Sequence, residues 1–250
     1  MSARGALMLS AIAWGSAFAQ EPPPDPNADR VEALLAEMPH VRVDRDARVV
    51  EFDGFVPIDA HIASAPNLYL EVMVCTPDVR AHEALVASLA SPTHVHAALL
   101  LVGLVPGRVG SWQWKDGVQQ QIRPEGSAVQ VEFVWTDGEG KSHEDVASDW
   151  IVSGVDGRRL TETVSAEAPH WVFAGSRTVS RNGREWYAAE AEGTIVGLHT
   201  FGSETIAWPE VMSPSADVED PEWIADPARV PKDGTPVVVR IRAIEEPKDE

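Results

Sequence analysis

The chain is poor in cysteine and, beyond its N-terminus, in long apolar runs. Cys75 is the one cysteine among 250 residues, so no disulfide can form within the chain and an apolar core must hold the fold together. The apolar stretch Ala97–Leu104 is far shorter than the roughly 20 residues that a membrane-spanning helix needs. We therefore expect no transmembrane segment in the mature protein.

Basic residues are also scarce. Lysine and arginine together number 20 against 39 aspartates and glutamates, which gives a formal net charge of −19. Nucleic acids and anionic membrane surfaces are both recognised by clustered basic side chains. The composition therefore argues against both as partners, and the acidity either serves solubility or attracts cations or a basic partner.

Common catalytic signatures are missing as well. The sequence contains no nucleophile elbow G-x-S-x-G, no P-loop and no glycine fingerprint of dinucleotide-binding proteins. The pairs His82-Glu83 and His143-Glu144 are not followed by the second histidine, four residues after the first, that a zinc-protease helix uses. No reaction can be assigned from these motifs, and a non-catalytic role is favoured.

The N-terminus has the features of a secretory signal peptide. Arg4 supplies a positive charge, Ala6–Ala13 is a short apolar segment, and Ala17-Phe18-Ala19 matches the small-x-small pattern that signal peptidase accepts. We predict that residues 1–19 are a signal peptide cleaved near Ala19 and that residues 20–30 are a proline-rich acidic spacer. The mature protein is then expected in the periplasm or outside the cell.

Residues 31–244 predict a single α+β domain with a mainly antiparallel β-sheet. Strands with alternating apolar residues dominate, as in Leu68–Cys75. Two principal helices, at about 77–90 and 92–104, each begin with a Thr-Pro or Ser-Pro pair that suits an N-cap and the first helical position. A short amphipathic helix near Val31–Met38 precedes the sheet, and residues 245–250 form a charged tail.

The segment Cys75–His96 carries the side chains best suited to chemistry. A thiolate and imidazoles near helix N-termini would suit a redox site or a transition metal such as zinc, copper or iron. In the alternative interpretation the cysteine is a small buried apolar residue and the histidines are hydrogen-bonded structural groups. The candidate metal ligands are Cys75, His82, His94 and His96, with Glu83 as a supporting carboxylate.

Helix geometry weakens the most metal-like pattern in this segment. His94 and His96 lie in the first turn of a predicted helix, where residues two apart point about 200° apart around the axis. A shared metal ion is therefore not expected for these two, and a site would combine one of them with Cys75 and His82. A catalytic Cys–His pair would instead need a third, orienting group, which Glu83 or Glu71 could supply.

Tryptophan is abundant, with nine residues in the chain. Such residues either anchor the core of a β-rich domain or form an exposed aromatic platform for a sugar or a peptide. The β-rich pattern favours the core, and the platform is kept as an alternative.

Five segments occur in a familiar order: VCTPDVRAHEALV, SPTHVHAALLLVGLVPG, WVFAGS, YAAEAEGTIVGLHTFG and PARVPKDGTPVVVRI. Together they resemble the YdjY-domain family, in particular its exported, planctomycete-type members, over about Val41 to Ile244. The resemblance implies the domain assignment but no reaction, because the family has no established activity. Other members are linked to iron–sulfur modules, but that link is not carried over because this chain has no four-cysteine motif.

We therefore expect an exported protein with a non-catalytic binding or accessory function, whose partner is an envelope protein or a small ligand. One alternative is a metal-dependent or redox-active domain built on Cys75 and His82 with either His94 or His96. Another is a carbohydrate- or envelope-binding module that uses exposed tryptophans.

Overall fold

The structure is a computed structural model that describes residues 28–61, 68–163 and 170–245. The predicted signal peptide lies outside these residues, as do most of the predicted spacer and of the charged tail. The described residues contain three α-helices: α1 Ala28–Ala36, α2 Pro92–Leu101 and α3 Ala188–Glu192. Among these residues no helix has the length and apolar character needed to cross a bilayer.

Strands make up most of the regular structure. In chain order they are β1 Val41–Asp44, β2 Val49–Phe55, β3 Val72–Cys75, β4 Ala84–Ser88, β5 Pro106–Arg108, β6 Ser111–Lys115, β7 Val118–Ile122, β8 Glu125–Gly126, β9 Ala128–Thr136, β10 Ser142–Val146, β11 Ile151–Ser153, β12 Trp171–Val172, β13 Thr178–Arg181, β14 Arg184–Tyr187, β15 Thr194–Gly197, β16 Ile206–Ala207, β17 Trp223–Ala225 and β18 Pro236–Ala243. Short 3-10 helices interrupt them at Ala81–Glu83, Ala147–Trp150 and Leu160–Glu162.

Eight of these strands close into a barrel. The order around the ring is β2, β18, β9, β12, β16, β15, β3 and β4, and β4 pairs back to β2. Neighbouring strands are antiparallel except for the parallel pairs β3–β4 and β15–β16. The predicted α+β fold is therefore wrong, because the sheet is closed and helices make up 16% of the structure.

The error in the fold class arises at residues 77–90, which were predicted to form a helix. Leu85, Val86 and Leu89 have helical spacing, yet the chain forms a 3-10 turn at Ala81–Glu83 and then strand β4. All five residues of β4 are buried, because the strand pairs with both β2 and β3 inside the closed sheet. A short apolar run that is buried on both faces lacks alternation, so its spacing does not distinguish a strand from a helix.

Closure of the barrel requires a glycine. Gly54 of β2 pairs with Ser88 of β4, and a Cβ atom on Gly54 would lie 2.7 Å from both the Ala87 carbonyl oxygen and the Val86 Cγ1 atom. These separations are too short for any side chain, so the two strands approach each other because residue 54 has none.

One large apolar core fills the barrel. Its aromatic centre contains Phe133 and Trp150, whose ring centroids are 4.7 Å apart, and both residues are fully buried. Burial of each phenylalanine or large aliphatic side chain contributes about 1.5–3 kcal/mol to folding, and this core takes the place of disulfides. The predicted core role of tryptophan is confirmed for the buried Trp150, Trp171, Trp208 and Trp223.

Outside the barrel sheet, the described residues form four two-stranded sheets: β5–β8, β6–β7, β11–β17 and β13–β14. Asn182-Gly183 makes the turn between β13 and β14, with positive φ angles of 55° and 73° at its two residues. Asp116-Gly117 makes the same kind of turn between β6 and β7, with φ angles of 54° and 76°. Two consecutive positive φ angles are typical of the tight type I′ turns that join hairpin strands.

Candidate functional site

Cys75 is enclosed in the sheet. It ends β3, is fully buried, and packs with Val72 and Ala84 in a small apolar cluster next to Phe201. Burial raises the pKa of the Cys75 thiol to about 11, so little of the thiolate that a metal ligand or nucleophile requires exists at neutral pH. Its surroundings give this side chain the character of a small buried apolar residue.

His82 and Glu83 lie in the 3-10 turn before β4. The His82 side chain is 75% exposed, and its Nε2 atom is 3.6 Å from Oε1 of Glu83. Glu83 neighbours Glu71, where burial and then the charge of Glu83 raise the pKa of the Glu71 carboxyl. The Arg80 Nε atom lies 4.0 Å from Glu71 Oε2, so this region is a partly exposed charged cluster.

His94 lies in the first turn of α2, as the sequence predicts. The Ser91 side chain accepts the backbone N–H of His94 at 3.2 Å, which confirms Ser91 as the N-cap. Glu190 of α3 accepts the backbone N–H of Thr93 at 3.0 Å and its hydroxyl at 2.7 Å, and so places a carboxylate at the positive end of α2. The Nδ1 atom of His94 is buried without a hydrogen-bond partner among the described residues.

His96 belongs to a partly buried chain of polar side chains. Its Nδ1 atom is 2.8 Å from the Tyr187 hydroxyl, which in turn is 3.0 Å from Oγ1 of Thr205. Burial lowers the pKa of His96 and raises the pKa of Tyr187 to about 12, so both rings are neutral near pH 7. These contacts connect α2 to the end of β14 and to the residue before β16. His96 therefore has a structural role.

The four predicted metal ligands do not converge. No hydrogen bond or ion pair joins any two of them in the described part of the chain; the four are Cys75, His82, His94 and His96. Within residues 28–61, 68–163 and 170–245, no group of three or more His, Cys, Asp or Glu side chains is placed to hold a metal ion. A metal site here stays a prediction that the arrangement does not support.

One face of the hairpin β6–β7 presents a different candidate surface. In the strand register Trp112 lies opposite Gln121 and Trp114 lies opposite Gln119. Because residues two apart in a strand point to the same side, these four side chains share one face, which we call the tryptophan face. The Trp114 residue is 74% exposed, Trp112 is half-buried, and both glutamines are exposed.

Sequence reasoning missed this hairpin, although a signal was present. Asp116-Gly117 is a strong two-residue turn pattern, and Trp112 and Trp114 alternate with polar residues directly before it. Among the described residues, Trp114 and Trp186 are the most exposed tryptophans and so the best placed to form an aromatic platform. Trp186 lies on β14 and is 48% exposed.

A family model described as the YdjY domain matches residues 41–242. The match covers most of the chain and confirms the resemblance noted in the sequence. No curated protein and no solved structure matches the chain significantly. The matched range includes the barrel, the polar chain around His96 and the tryptophan face.

Proposed function

We propose that this chain, which belongs to the YdjY-domain family, is an exported, non-catalytic binding protein whose ligand is a carbohydrate. The observation that carries the proposal is the tryptophan face, formed by Trp112, Trp114, Gln119 and Gln121. The signal-peptide pattern of residues 1–19 supports export, which would place the protein where envelope and extracellular glycans occur.

The two tryptophans offer the surface that a sugar ring stacks against. Trp112 and Trp114 lie two residues apart on one strand, which separates their Cα atoms by about 7 Å. Indole rings provide a large and rigid contact area at a low cost in side-chain entropy. With 74% of its surface in water, the Trp114 ring is accessible to a ligand.

The glutamines complement the hydroxyl groups of a sugar. Each side-chain amide carries both donors and an acceptor, and each sugar hydroxyl can likewise donate and accept. Gln119 and Gln121 are paired across the hairpin with the two tryptophans, so hydrogen-bonding groups flank each possible stacking position.

The charge distribution disfavours an anionic ligand. The tryptophan face carries no charged side chain, whereas the whole chain has a formal net charge of −19. An anionic polymer would be repelled by that field, and a neutral glycan would not.

The state of the candidate catalytic groups supports binding over chemistry. The Cys75 thiol is buried and has a raised pKa, and the His96 ring is held by the Tyr187 hydroxyl. Neither group is presented to a substrate in the way that a nucleophile or a general base must be.

Isothermal titration with a panel of neutral oligosaccharides tests the proposal. Trp112→Ala and Trp114→Ala should each weaken binding at least about tenfold, because stacking aromatics are the usual hot spots of such surfaces. Trp186→Ala, at an exposed tryptophan of another hairpin, and Gln113→Ala, on the opposite face of β6, are the controls and should bind normally. Failure of the native protein to bind any neutral oligosaccharide, or equal losses in the controls, would overturn it.

A further inference from the structure

A large pocket lies at the end of the barrel where β9 ends and β18 begins. Its volume of about 1000 Å³ is at the upper end of the range of about 300–1,000 Å³ that is usual for ligand pockets. The strands contribute Trp135, Thr136, His143 and Pro236 to its lining, and the loop between β17 and β18 contributes residues 226–232. None of the lining residues belongs to the tryptophan face, so the two surfaces are separate.

The pocket is free of the negative excess that marks the chain as a whole. Three basic side chains line it together with three aspartates, so their formal charges cancel, whereas the whole chain has a net charge of −19. The six residues are Arg159, Arg229, Lys232, Asp137, Asp145 and Asp226. Charges farther than about 8–10 Å away are largely screened at physiological salt, so the groups inside the pocket decide which ligand it attracts.

Donors of the protein itself already occupy two of the three aspartates. Asp137 accepts two backbone N–H groups at 2.9 Å, and its Oδ2 atom lies 2.8 Å from Nε2 of His143. Oδ2 of Asp145 accepts the indole N–H groups of Trp135 and Trp150, at 3.0 and 3.3 Å. These carboxylates therefore serve to hold the wall of the pocket in place.

The two arginines of the pocket are close together but only loosely paired. Both contact Asp149: Arg159 donates to its backbone carbonyl at 3.0 Å, and Nη1 of Arg229 lies 3.6 Å from its Oδ2 atom. Asp226 lies 3.8 Å from Arg159, and Asp145 lies 4.0 Å from Arg229. Hydrogen bonds are about 2.7–3.2 Å long, so both guanidinium groups keep N–H donors without a carboxylate acceptor in the described part of the chain.

Lys232 adds a third cation on a well-fixed loop. Its exposed side chain makes no ion pair with any described residue. Its backbone carbonyl accepts the N–H of Thr235 at 3.1 Å, and the Thr235 carbonyl accepts the N–H of Val56 at 3.0 Å. Pro227 and Pro231 restrict the backbone further. A loop that is ordered in advance loses little entropy when a ligand binds.

Aromatic and apolar groups form another part of the lining. The rings of Trp135 and His143 stack with centroids 4.2 Å apart and an angle of 12° between their planes. Pro227 and Pro236, both exposed, add further apolar surface. An inorganic ion would leave this surface uncovered, whereas the carbon skeleton of an organic ligand would bury it.

We propose that this pocket binds a small organic anion. Arg159, Arg229 and Lys232 hold its carboxylate or phosphate group, and its carbon skeleton contacts the wall at Trp135. Guanidinium groups bind carboxylates and phosphates in the same bidentate way, so the two groups share one recognition chemistry. The inference does not depend on the carbohydrate function and adds a second site, for a ligand of another class.

Isothermal titration of the native protein with a matched set of probes tests the proposal. The set pairs phenyl phosphate with inorganic phosphate and benzoate with acetate, and benzyl alcohol is the uncharged analogue. At least one ring-bearing anion should bind about tenfold more tightly than benzyl alcohol, because of its charge-assisted hydrogen bonds. It should also bind at least about threefold more tightly than its ringless partner, because of the apolar wall. The tighter of the two ring-bearing anions identifies the preferred group.

Three variants locate the site. Arg229→Gln and Lys232→Gln should each weaken binding of the ring-bearing anion about five- to tenfold. Lys141→Gln is the matched control, because it removes the same charge from an exposed lysine between β9 and β10 that does not line the pocket. Lys232 makes no ion pair, so Lys232→Gln decides the question even if Arg229→Gln does not fold.

Several outcomes would overturn the site. Absence of binding to both ring-bearing anions, or equal affinity for benzyl alcohol, would exclude an anion site. Equal losses in Lys232→Gln and Lys141→Gln would show attraction by overall charge instead of recognition in the pocket. Equal affinities for phenyl phosphate and inorganic phosphate, and for benzoate and acetate, would exclude the organic skeleton. Loss of anion binding in Trp114→Ala would move the anion to the tryptophan face.

Discussion

The Nδ1 atom of His96 lies 2.8 Å from the hydroxyl oxygen of Tyr187, and this contact joins the N-terminal half of α2 to the end of β14. The same hydroxyl lies 3.0 Å from Oγ1 of Thr205. The Tyr187 hydroxyl therefore satisfies two polar groups that burial would otherwise leave unpaired. This single oxygen atom links α2 to the hairpin β13–β14.

Replacement of that oxygen should destabilise the fold. Tyr187→Phe is expected to lower the free energy of unfolding by about 1–3 kcal/mol, because it leaves His96 and Thr205 without their partner in a buried setting. Urea unfolding followed by tryptophan fluorescence measures the loss. Tyr69→Phe, at a residue that is 41% exposed, is the control and should change stability little; similar midpoints for the two variants would contradict the role assigned to Tyr187.

His96 should also make stability depend on pH. Burial lowers its pKa in the folded state from the ordinary value of 6.5, so the unfolded chain takes up a proton more readily than the folded chain. The contribution of His96 is therefore fully present above about pH 6.5 and is lost as the pH falls below it, by at most about 1.4 kcal/mol per pH unit for one proton.

Comparison with His96→Gln isolates this effect. His199 shares the direction, because burial lowers its pKa too, whereas burial raises the pKa of Glu71 and Glu204. The stability that the two carboxyls contribute is lost as the pH rises through their folded-state pKa. The pH dependence of the unfolding free energy is therefore the sum of opposing contributions. The difference in unfolding free energy between native protein and His96→Gln should shrink from about pH 7.5 to about pH 5. A constant difference would contradict a neutral, buried His96.

The sequence indicates much of the strand content, because the strands around β2, β9 and β18 alternate or lie next to recognisable turns. It does not indicate closure. That depends on the contact between Gly54 and β4, two segments that are more than thirty residues apart. β4 itself lacks alternation because both of its faces are buried, and its helical spacing led to the wrong fold class.

The candidate site shows the same division between local and long-range information. Local sequence signals indicate that His94 and His96 lie near the start of a helix, and Ser91 caps it as expected. The partner of His96 lies 91 residues away in sequence, so its structural role is not visible in the chain. The tryptophan face could be predicted from the Asp116-Gly117 turn and the alternation before it. Its contact with the loop after β16 could not be predicted, because that loop is distant in sequence.

Gly54 provides a test of the barrel closure. Gly54→Ala places a Cβ atom 2.7 Å from the Ala87 carbonyl oxygen and from Val86 Cγ1, so β2 and β4 must move apart. Overpacking of this kind costs about 1–3 kcal/mol or more, which urea unfolding should record. Gly138→Ala is the matched control, since nothing lies within 4 Å of a Cβ atom there and the φ angle is ordinary. Equal stability of the two variants would mean that β2 and β4 do not approach this closely.

The Cys75 thiol should react very slowly with thiol reagents in the folded protein. The thiol is fully buried and its pKa is raised to about 11, and the thiolate is the form that attacks thiol reagents. Labelling by an aromatic disulfide reagent at about pH 7.5 should therefore be slow in buffer and rapid in denaturing urea. A control protein with Cys75→Ala and Ser142→Cys places the thiol at an exposed position of β10 and should react at once in buffer. Fast native labelling of Cys75, slowed by added zinc, would reverse the assignment and favour the predicted metal site at Cys75 and His82.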